Sequence, residues 1–220
     1  MRSSGRPDPA RARAAMVELQ LRRRGIRDER VLAAMAVVPR ELFVPPALAD
    51  RAYDDNALPI GHEQTISQPY VVAAMCELLA LRGGERVLDV GTGSGYAAAV
   101  LAELAAEVVS IERIAALGES ARAALRGAGY ERVEVRIGDG SLGAPDRAPF
   151  DAIAVAAAVP ETPPALVEQL AEGGRLVVPR GSRSSQRLVL VVRTPDGPAE
   201  RGSFPCRFVP LLGAEGFPGG

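Results

Sequence analysis

The residues best suited to chemistry gather around one glycine-rich run, Val87-Leu-Asp89-Val-Gly91-Thr-Gly93-Ser94-Gly95-Tyr96. Glycine has no Cβ, so a run of this kind lets a ligand approach the backbone closely; where a strand passes into a helix it also aims main-chain N–H groups at that ligand. The dinucleotide fingerprint needs a further glycine where Tyr96 stands, so this loop is not shaped for a pyrophosphate. A second acid, Glu112, ends the run Val108-Val-Ser-Ile-Glu112 about 20 residues further on, a place from which a carboxylate can accept from paired ribose hydroxyls. Asp139, between Gly138 and Gly140, follows the next apolar run and would reach the same edge of a sheet. Upstream, Ser67 stands just before Gln68-Pro69 and has two candidate tasks. It offers a hydroxyl to a substrate, or it N-caps the helix that Pro69 would open and that runs to Leu81. His62 is the one histidine; a Ser67-His62 pair without an orienting acid makes a poor hydrolase, so His62 is assigned to an exposed loop.

Composition removes several rival chemistries. All 26 basic residues are arginine, which excludes Schiff-base lysines, pyridoxal phosphate attachment and the phosphate-cradling lysine of a P-loop. Cys76 and Cys206 lie far apart and form no CxxC pair, so neither a metal knuckle nor a disulfide scaffold is indicated, and no metal is expected. A net charge of -1 argues against nucleic-acid binding through a global positive field. No apolar run is long enough to span a membrane, and the opening Met-Arg-Ser-Ser-Gly builds no secretory core, so a cytoplasmic protein is expected.

Three zones must position these residues. Residues 10–56 read as a helical cover: a basic helix from Ala10 to Arg24 carrying Met16, Val17, Leu19 and Leu21, with Gly25 as C-cap, then a short helix N-capped by Asp28 and stopped by Pro39. Residues 57–80 hold a loop and the helix after Ser67. Residues 84–180 alternate strands (Arg86–Val90, Glu107–Ile111, Arg132–Ile137, Phe150–Val155, Arg175–Pro179) with helices (Tyr96–Ala105, Ile114–Gly127, Pro164–Leu170). That alternation predicts an α/β fold with a doubly wound, mostly parallel sheet. In 181–213 the runs Arg187–Thr194 and Gly202–Leu211 flank the turn Pro195-Asp-Gly-Pro198 and predict an antiparallel hairpin at the sheet edge. The 220 residues form one domain in this reading.

The GxGxG run with Asp89 before it resembles motif I of the class I S-adenosylmethionine-dependent methyltransferases. Leu58-Pro-Ile-Gly61-His62-Glu63-Gln64-Thr65-Ile66-Ser67-Gln68-Pro69-Tyr70 resembles the substrate and cofactor loop of the protein-L-isoaspartate O-methyltransferases. Val38-Pro-Arg-Glu-Leu-Phe-Val44, Tyr53-Asp-Asp-Asn-Ala-Leu-Pro-Ile-Gly61, Phe150-Asp-Ala-Ile, Ala157-Ala-Val-Pro-Glu161, Glu172-Gly-Gly-Arg-Leu-Val-Val-Pro179 and Arg207-Phe-Val-Pro-Leu211 extend the resemblance over almost the whole chain.

The resemblance implies a Rossmann-like methyltransferase that uses S-adenosyl-L-methionine and esterifies the free carboxylate of L-isoaspartyl residues in damaged proteins, the ester then closing to a succinimide so that repair begins. It implies cofactor contacts from Thr65, Ile66, Asp89, Gly91, Gly93, Ser94, Glu112, Arg113, Asp139 and Gly140, substrate contacts from Leu58, Pro59, Ile60, Ser67 and Val209, and Ser67 as the catalytic hydroxyl. It points to a monomer acting on isoaspartyl peptides and proteins. Three departures stand out: Glu63 where the family commonly has glycine, Ala156 where threonine is frequent, and Arg180 where an apolar residue is usual. Glu63 motivates an alternative, a relative that methylates aspartates of one dedicated peptide. A non-catalytic cofactor-binding module and a dinucleotide oxidoreductase are further rivals, the latter opposed by Tyr96.

Overall fold

A computed structural model describes residues 8–218. Gly219, Gly220 and the Met1–Gly5 stretch read above for a leader lie outside the described residues. The cover begins with helix α1 (Pro9–Ala15), whose Asp8 side chain accepts from the Ala10 N–H. It continues as a π-helical turn over Met16–Leu21 and a 3₁₀ turn over Arg22–Arg24, and Gly25 closes it at φ 103°. The wide turn corrects the expectation of one uniform helix: Met16 and Leu21, one π-turn apart, are both buried, while Leu19 is left 51% exposed. Asp28 caps α2 (Glu29–Val37) as expected, accepting from the Arg30 N–H.

The stretch expected to be a loop is a small hairpin of β1 (Leu58–Gly61) and β2 (Gln64–Ile66). Its two turn residues, His62 and Glu63, both have positive φ, 51° and 59°, the backbone that a two-residue hairpin requires and that side chains oppose. Glycine at 63 would meet this backbone at lower cost. Glu63→Gly is expected to raise stability by roughly 0.5–1 kcal/mol, the relieved left-handed cost less the added freedom of the unfolded chain, and a rise in melting temperature checks it. After the hairpin, α3 (Pro69–Leu79) has Gln68 at its N-cap position with no side-chain bond. Ser67 is therefore not the cap. It stands one residue too early, and Pro69 in the first turn removes one of the donors a cap would serve.

The core alternates as the sequence predicts: β3 (Arg86–Val90), α4 (Tyr96–Leu104), β4 (Glu107–Glu112), α5 (Ala115–Gly127), β5 (Glu134–Ile137), β6 (Phe150–Val155), α6 (Pro164–Glu168), β7 (Leu170–Gly181), β8 (Gln186–Thr194) and β9 (Gly197–Cys206). These strands form one sheet in the order β5-β4-β3-β6-β7-β8-β9, parallel through β7 and antiparallel beyond. The order reverses at β3, so the crevice at the carboxyl ends of β3 and β4 is where such a sheet binds ligands. Side chains alternate along β3: Val87 joins the apolar layer under the cover helices, and Leu88 and Val90 join the layer on the opposite face. Helix α6 is shorter than expected, because Leu170 already begins β7.

The C-terminal hairpin also needs correction. Its second strand is Gly197–Cys206, not Gly202–Leu211. Residues 197–201, Gly-Pro-Ala-Glu-Arg, carry no large apolar side chain and are mostly exposed, so hydrophobic alternation does not mark them, although they pair with β8. Both Pro198 and Pro205 lie on this edge strand, where a missing donor is tolerated. Residues 209–211 leave the hairpin and run beside Ala158 past the end of β6, with Ala158 N–H donating to the Val209 carbonyl and Leu211 N–H to the Ala158 carbonyl.

Candidate active site

Two cavities open at the carboxyl edge of the sheet. The first is lined by Gly91, Gly93, Glu112, Arg113, Gly140 and residues 209–212, among others, so the glycine loop and the end of β4 both face it. The second, wider groove is lined by Asp55, Asn56, Ala57, Ser67, Gln68, Tyr70 and residues 204–209, among others. Thr65, Ala156 and Val209 line both. The two spaces therefore meet there.

The first cavity is built by the glycine loop. Gly95 starts α4 at φ 90°, and a Cβ on it would stand 3.2 Å from Leu125 Cγ, so glycine serves both the turn and the packing of α4 against α5. Glu112 at the end of β4 is 7% exposed, and its carboxylate accepts from the Gly93 N–H (2.8 Å) and the Ile114 N–H (2.9 Å). Each carboxylate oxygen retains a second lone pair for a ligand in the cavity, so Glu112 both holds the loop and offers acceptors. A Cβ on Gly140 would stand 2.6 Å from Val90 Cγ1, closer than side chains tolerate, so glycine is needed there.

Other predicted residues stand apart from this cavity. Asp139 does not line it: Asp139 caps a 3₁₀ turn, accepting from Ser141 N–H and Oγ–H, and binds the Ala214 N–H. Burial opposes its charge, but these donors hold its carboxyl below the usual value, and the Ala214 bond ties the C-terminal segment to this turn. Ser94 Oγ accepts from Tyr96 N–H. Ile66 is buried in the core, and Leu58 likewise, while Pro59 is exposed and Ile60 packs beside Gly93. The groove wall from this part of the chain is thus Asp55–Ala57 with Thr65, not Leu58–Ile60.

Asp89 alternates with Leu88 and Val90 and so faces α3, in a small recess with Ser67, Cys76, Ala154 and Ala156. It is fully buried; Oδ2 accepts from the Ser110 hydroxyl at 2.7 Å, and Oδ1 has no partner among the described residues. Burial pushes its pKa up to about 6. The folded protein thus holds this proton more tightly than the unfolded chain, whose value is near 3.8, and stability falls as pH rises from about 4 through 6. Asp89→Asn should remove most of that decline, a gain on the order of 3 kcal/mol at pH 8, read from denaturant melts at pH 5 and pH 8.

Ser67 is half-buried, and its hydroxyl has no hydrogen-bond partner among the described residues, which leaves it available in the groove. Gln68 beside it donates to Asp55 Oδ1 (2.8 Å), whose other oxygen takes the Arg24 guanidinium (2.7 Å). That guanidinium lies 4.0 Å over the Tyr70 ring, and Tyr70 meets Phe204 at 5.9 Å between centroids. This wall was missed in the sequence, because Arg24, Asp55, Tyr70 and Phe204 come from four separate elements.

Residues 11–216 match the family model of protein-L-isoaspartate(D-aspartate) O-methyltransferase. The chain belongs to this family. It is 58% identical over 210 residues to protein-L-isoaspartate O-methyltransferase 1 of Rhodopseudomonas palustris (strain HaA2), covering 94% of this chain and 86% of the relative. It is 57% identical over 208 residues to protein-L-isoaspartate O-methyltransferase 2 of Marinobacter nauticus, covering 94% and 95%. A solved protein-L-isoaspartate O-methyltransferase superposes with a TM-score of 0.83 at 31% identity, over 93% of this chain and 67% of that one. A Plasmodium falciparum structure described as a protein-L-isoaspartate O-methyltransferase, in complex with S-adenosyl-L-homocysteine, gives 0.80 at 27% identity, over 91% and 98%.

The departures from the protein-L-isoaspartate O-methyltransferase pattern now have places. Glu63 is exposed at the hairpin tip and lines neither cavity, so it brings no charge to either. Arg180 pairs with Glu200 on the edge strand through both guanidinium nitrogens, at 2.8 and 2.7 Å, and also reaches Thr162. Ala156 supplies a small surface at the junction of the two cavities. Among the described residues no helix is long and apolar enough to cross a membrane.

Proposed function

We propose that this protein transfers a methyl group from S-adenosylmethionine to the free α-carboxylate of L-isoaspartyl residues in proteins, the activity for which its family is named. The observation that carries the reading is the meeting of the cavity at the glycine loop and the wider groove beside Ser67 at Thr65, Ala156 and Val209. The residues present fit the cofactor. Glu112 offers carboxylate lone pairs at the cavity wall, beside the main chain of Gly91 and Gly93. Gly91, Gly93, Glu112, Arg113 and Gly140 would hold it, together with Thr65 where the two spaces meet, and Ser94, Ile66 and Asp139 support the surrounding backbone. When bound, it supplies an electrophilic methyl on a sulfonium.

The protein's own part is binding, orientation and exclusion of water. A substrate carboxylate with a reference pKa near 3.9 is ionised at neutral pH, so no general base is required and His62, outside both cavities, has no role in the transfer. The Ser67 hydroxyl donates to one carboxylate oxygen and leaves the other as nucleophile. Residues 204–209 offer main-chain groups to an extended peptide, and Tyr70, Phe204 and Arg24 cover its flank. Alignment of the reacting atoms then supplies most of the rate. Since one chain contributes both cavities, the reading is of a single-domain monomer working in the cytoplasm.

Transfer of a radiolabelled methyl group to matched isoaspartyl, aspartyl and D-aspartyl peptides tests this. Label on the isoaspartyl peptide in strong preference to the aspartyl one is expected; equal labelling, or none, would defeat the reading. The rival of a single dedicated aspartyl substrate loses its motive once Glu63 lies outside the groove.

A further inference from the structure

Arg40 is fully buried, yet no carboxylate pairs with it among the described residues. Its Nε donates to the Ala52 carbonyl at 2.7 Å and its Nη2 to the Ser67 carbonyl at 2.8 Å. Its guanidinium carbon lies 4.7 Å from the centroid of Tyr96, the first residue of α4 after the glycine loop. Nη1 has no partner. A cation taken from water without a counter-ion is costly, and an apolar side chain of like volume would fill the same space more cheaply. What arginine adds is a rigid plane of donors that reaches two carbonyls at once.

One of those carbonyls is that of Ser67, which lines the groove. Ala52 leads into the groove wall at Asp55–Ala57. Ser67 lies between β2 and α3, where neither a strand ladder nor a helix supplies its carbonyl with a donor, and among the described residues Arg40 is that donor. The Ser67 hydroxyl, by contrast, is held by nothing else in the described protein, so its direction follows from its backbone. We infer that Arg40 is a positioning residue: it fixes the main chain of Ser67 against the start of α4 and so aims the hydroxyl into the substrate groove. The inference rests on Ser67 being the group that meets the carboxylate.

Arg40→Lys keeps the charge but cannot span both carbonyls. It should lower kcat by about tenfold or more while the KM for an isoaspartyl peptide and the affinity for S-adenosylhomocysteine change by less than about twofold. Acting through Ser67, it should add almost nothing to Ser67→Ala, so the double variant turns over within about twofold of Ser67→Ala alone. A purely structural role would instead multiply the two losses. Multiplied losses, or a folded Arg40→Lys protein with wild-type kcat, would overturn the Arg40 assignment while leaving Ser67 in place. Wild-type turnover by Ser67→Ala would remove both. If Arg40→Lys melts below the assay temperature, Arg40→Gln, which keeps a planar pair of N–H donors, goes through the same cycle. Unfolding of both variants would make Arg40 a core residue and end the proposal.

Discussion

Glu112→Ala is expected to weaken S-adenosylhomocysteine binding by about 1.5–3 kcal/mol, roughly 10- to 150-fold, in a protein that still folds. The carboxylate is nearly sealed from solvent, so hydrogen bonds to a ligand there are worth more than on the surface. The substitution also strips the Gly93 and Ile114 N–H groups of their acceptor, which should loosen the glycine loop and cost about 1–2 kcal/mol of stability. Glu112→Gln separates the two effects. Its amide oxygen can serve one N–H, but its NH₂ then faces the other donor, so an intermediate loss of affinity is expected. Calorimetric titration decides: unchanged affinity in a folded Glu112→Ala protein would take the ligand out of this cavity.

That residue was legible in the sequence because its position follows from a repeating unit. A strand, a glycine turn and a helix are followed by a second strand, and the acid at that strand's end must stand beside the turn. The parallel pairing of Val90 with Ile111 delivers this, with Glu112 one residue beyond. Asp89 was harder. Motif spacing places it near the loop, but the two-residue period of a strand turns it away from Val90 and onto the α3 side. Asp139 reaches the right edge without lining the cavity; its Oδ1 accepts twice from Ser141 and its Oδ2 once from Ala214.

What stayed hidden depends on contacts between distant segments. Nothing in the spacing around Arg40 marks it as buried, and only the fold shows it packed against Ala52, Ser67 and Tyr96. The last strand was misplaced because its first half, at the sheet edge, buries nothing and carries no apolar rhythm. The hairpin around His62-Glu63 lacked the Asn-Gly signal of such turns, and the strain at Glu63 is the consequence.

Ser67 separates orientation of the substrate from every structural role. Its hydroxyl makes no hydrogen bond among the described residues and caps no helix, so Ser67→Ala should change stability by less than about 0.5 kcal/mol. The same change should lower turnover on an isoaspartyl peptide while the cofactor stays bound, because it removes a donor that acts on the reacting carboxylate. Ser67→Asp goes further, placing a fixed negative charge where the substrate carboxylate must come. At a separation of about 4 Å and the effective dielectric of a protein surface, that repulsion is worth about 4 kcal/mol, so kcat/KM should fall roughly a thousandfold. The loss should shrink on raising salt only slightly, since the groove is half enclosed and screening acts mainly on exposed pairs. Aspartate at 67 also leaves the sulfonium-binding side untouched in size, so S-adenosylhomocysteine affinity is the control that must hold. A folded Ser67→Asp enzyme with wild-type kcat/KM would show that the carboxylate docks elsewhere, and the groove between Asp55 and Phe204 would lose its assignment with it.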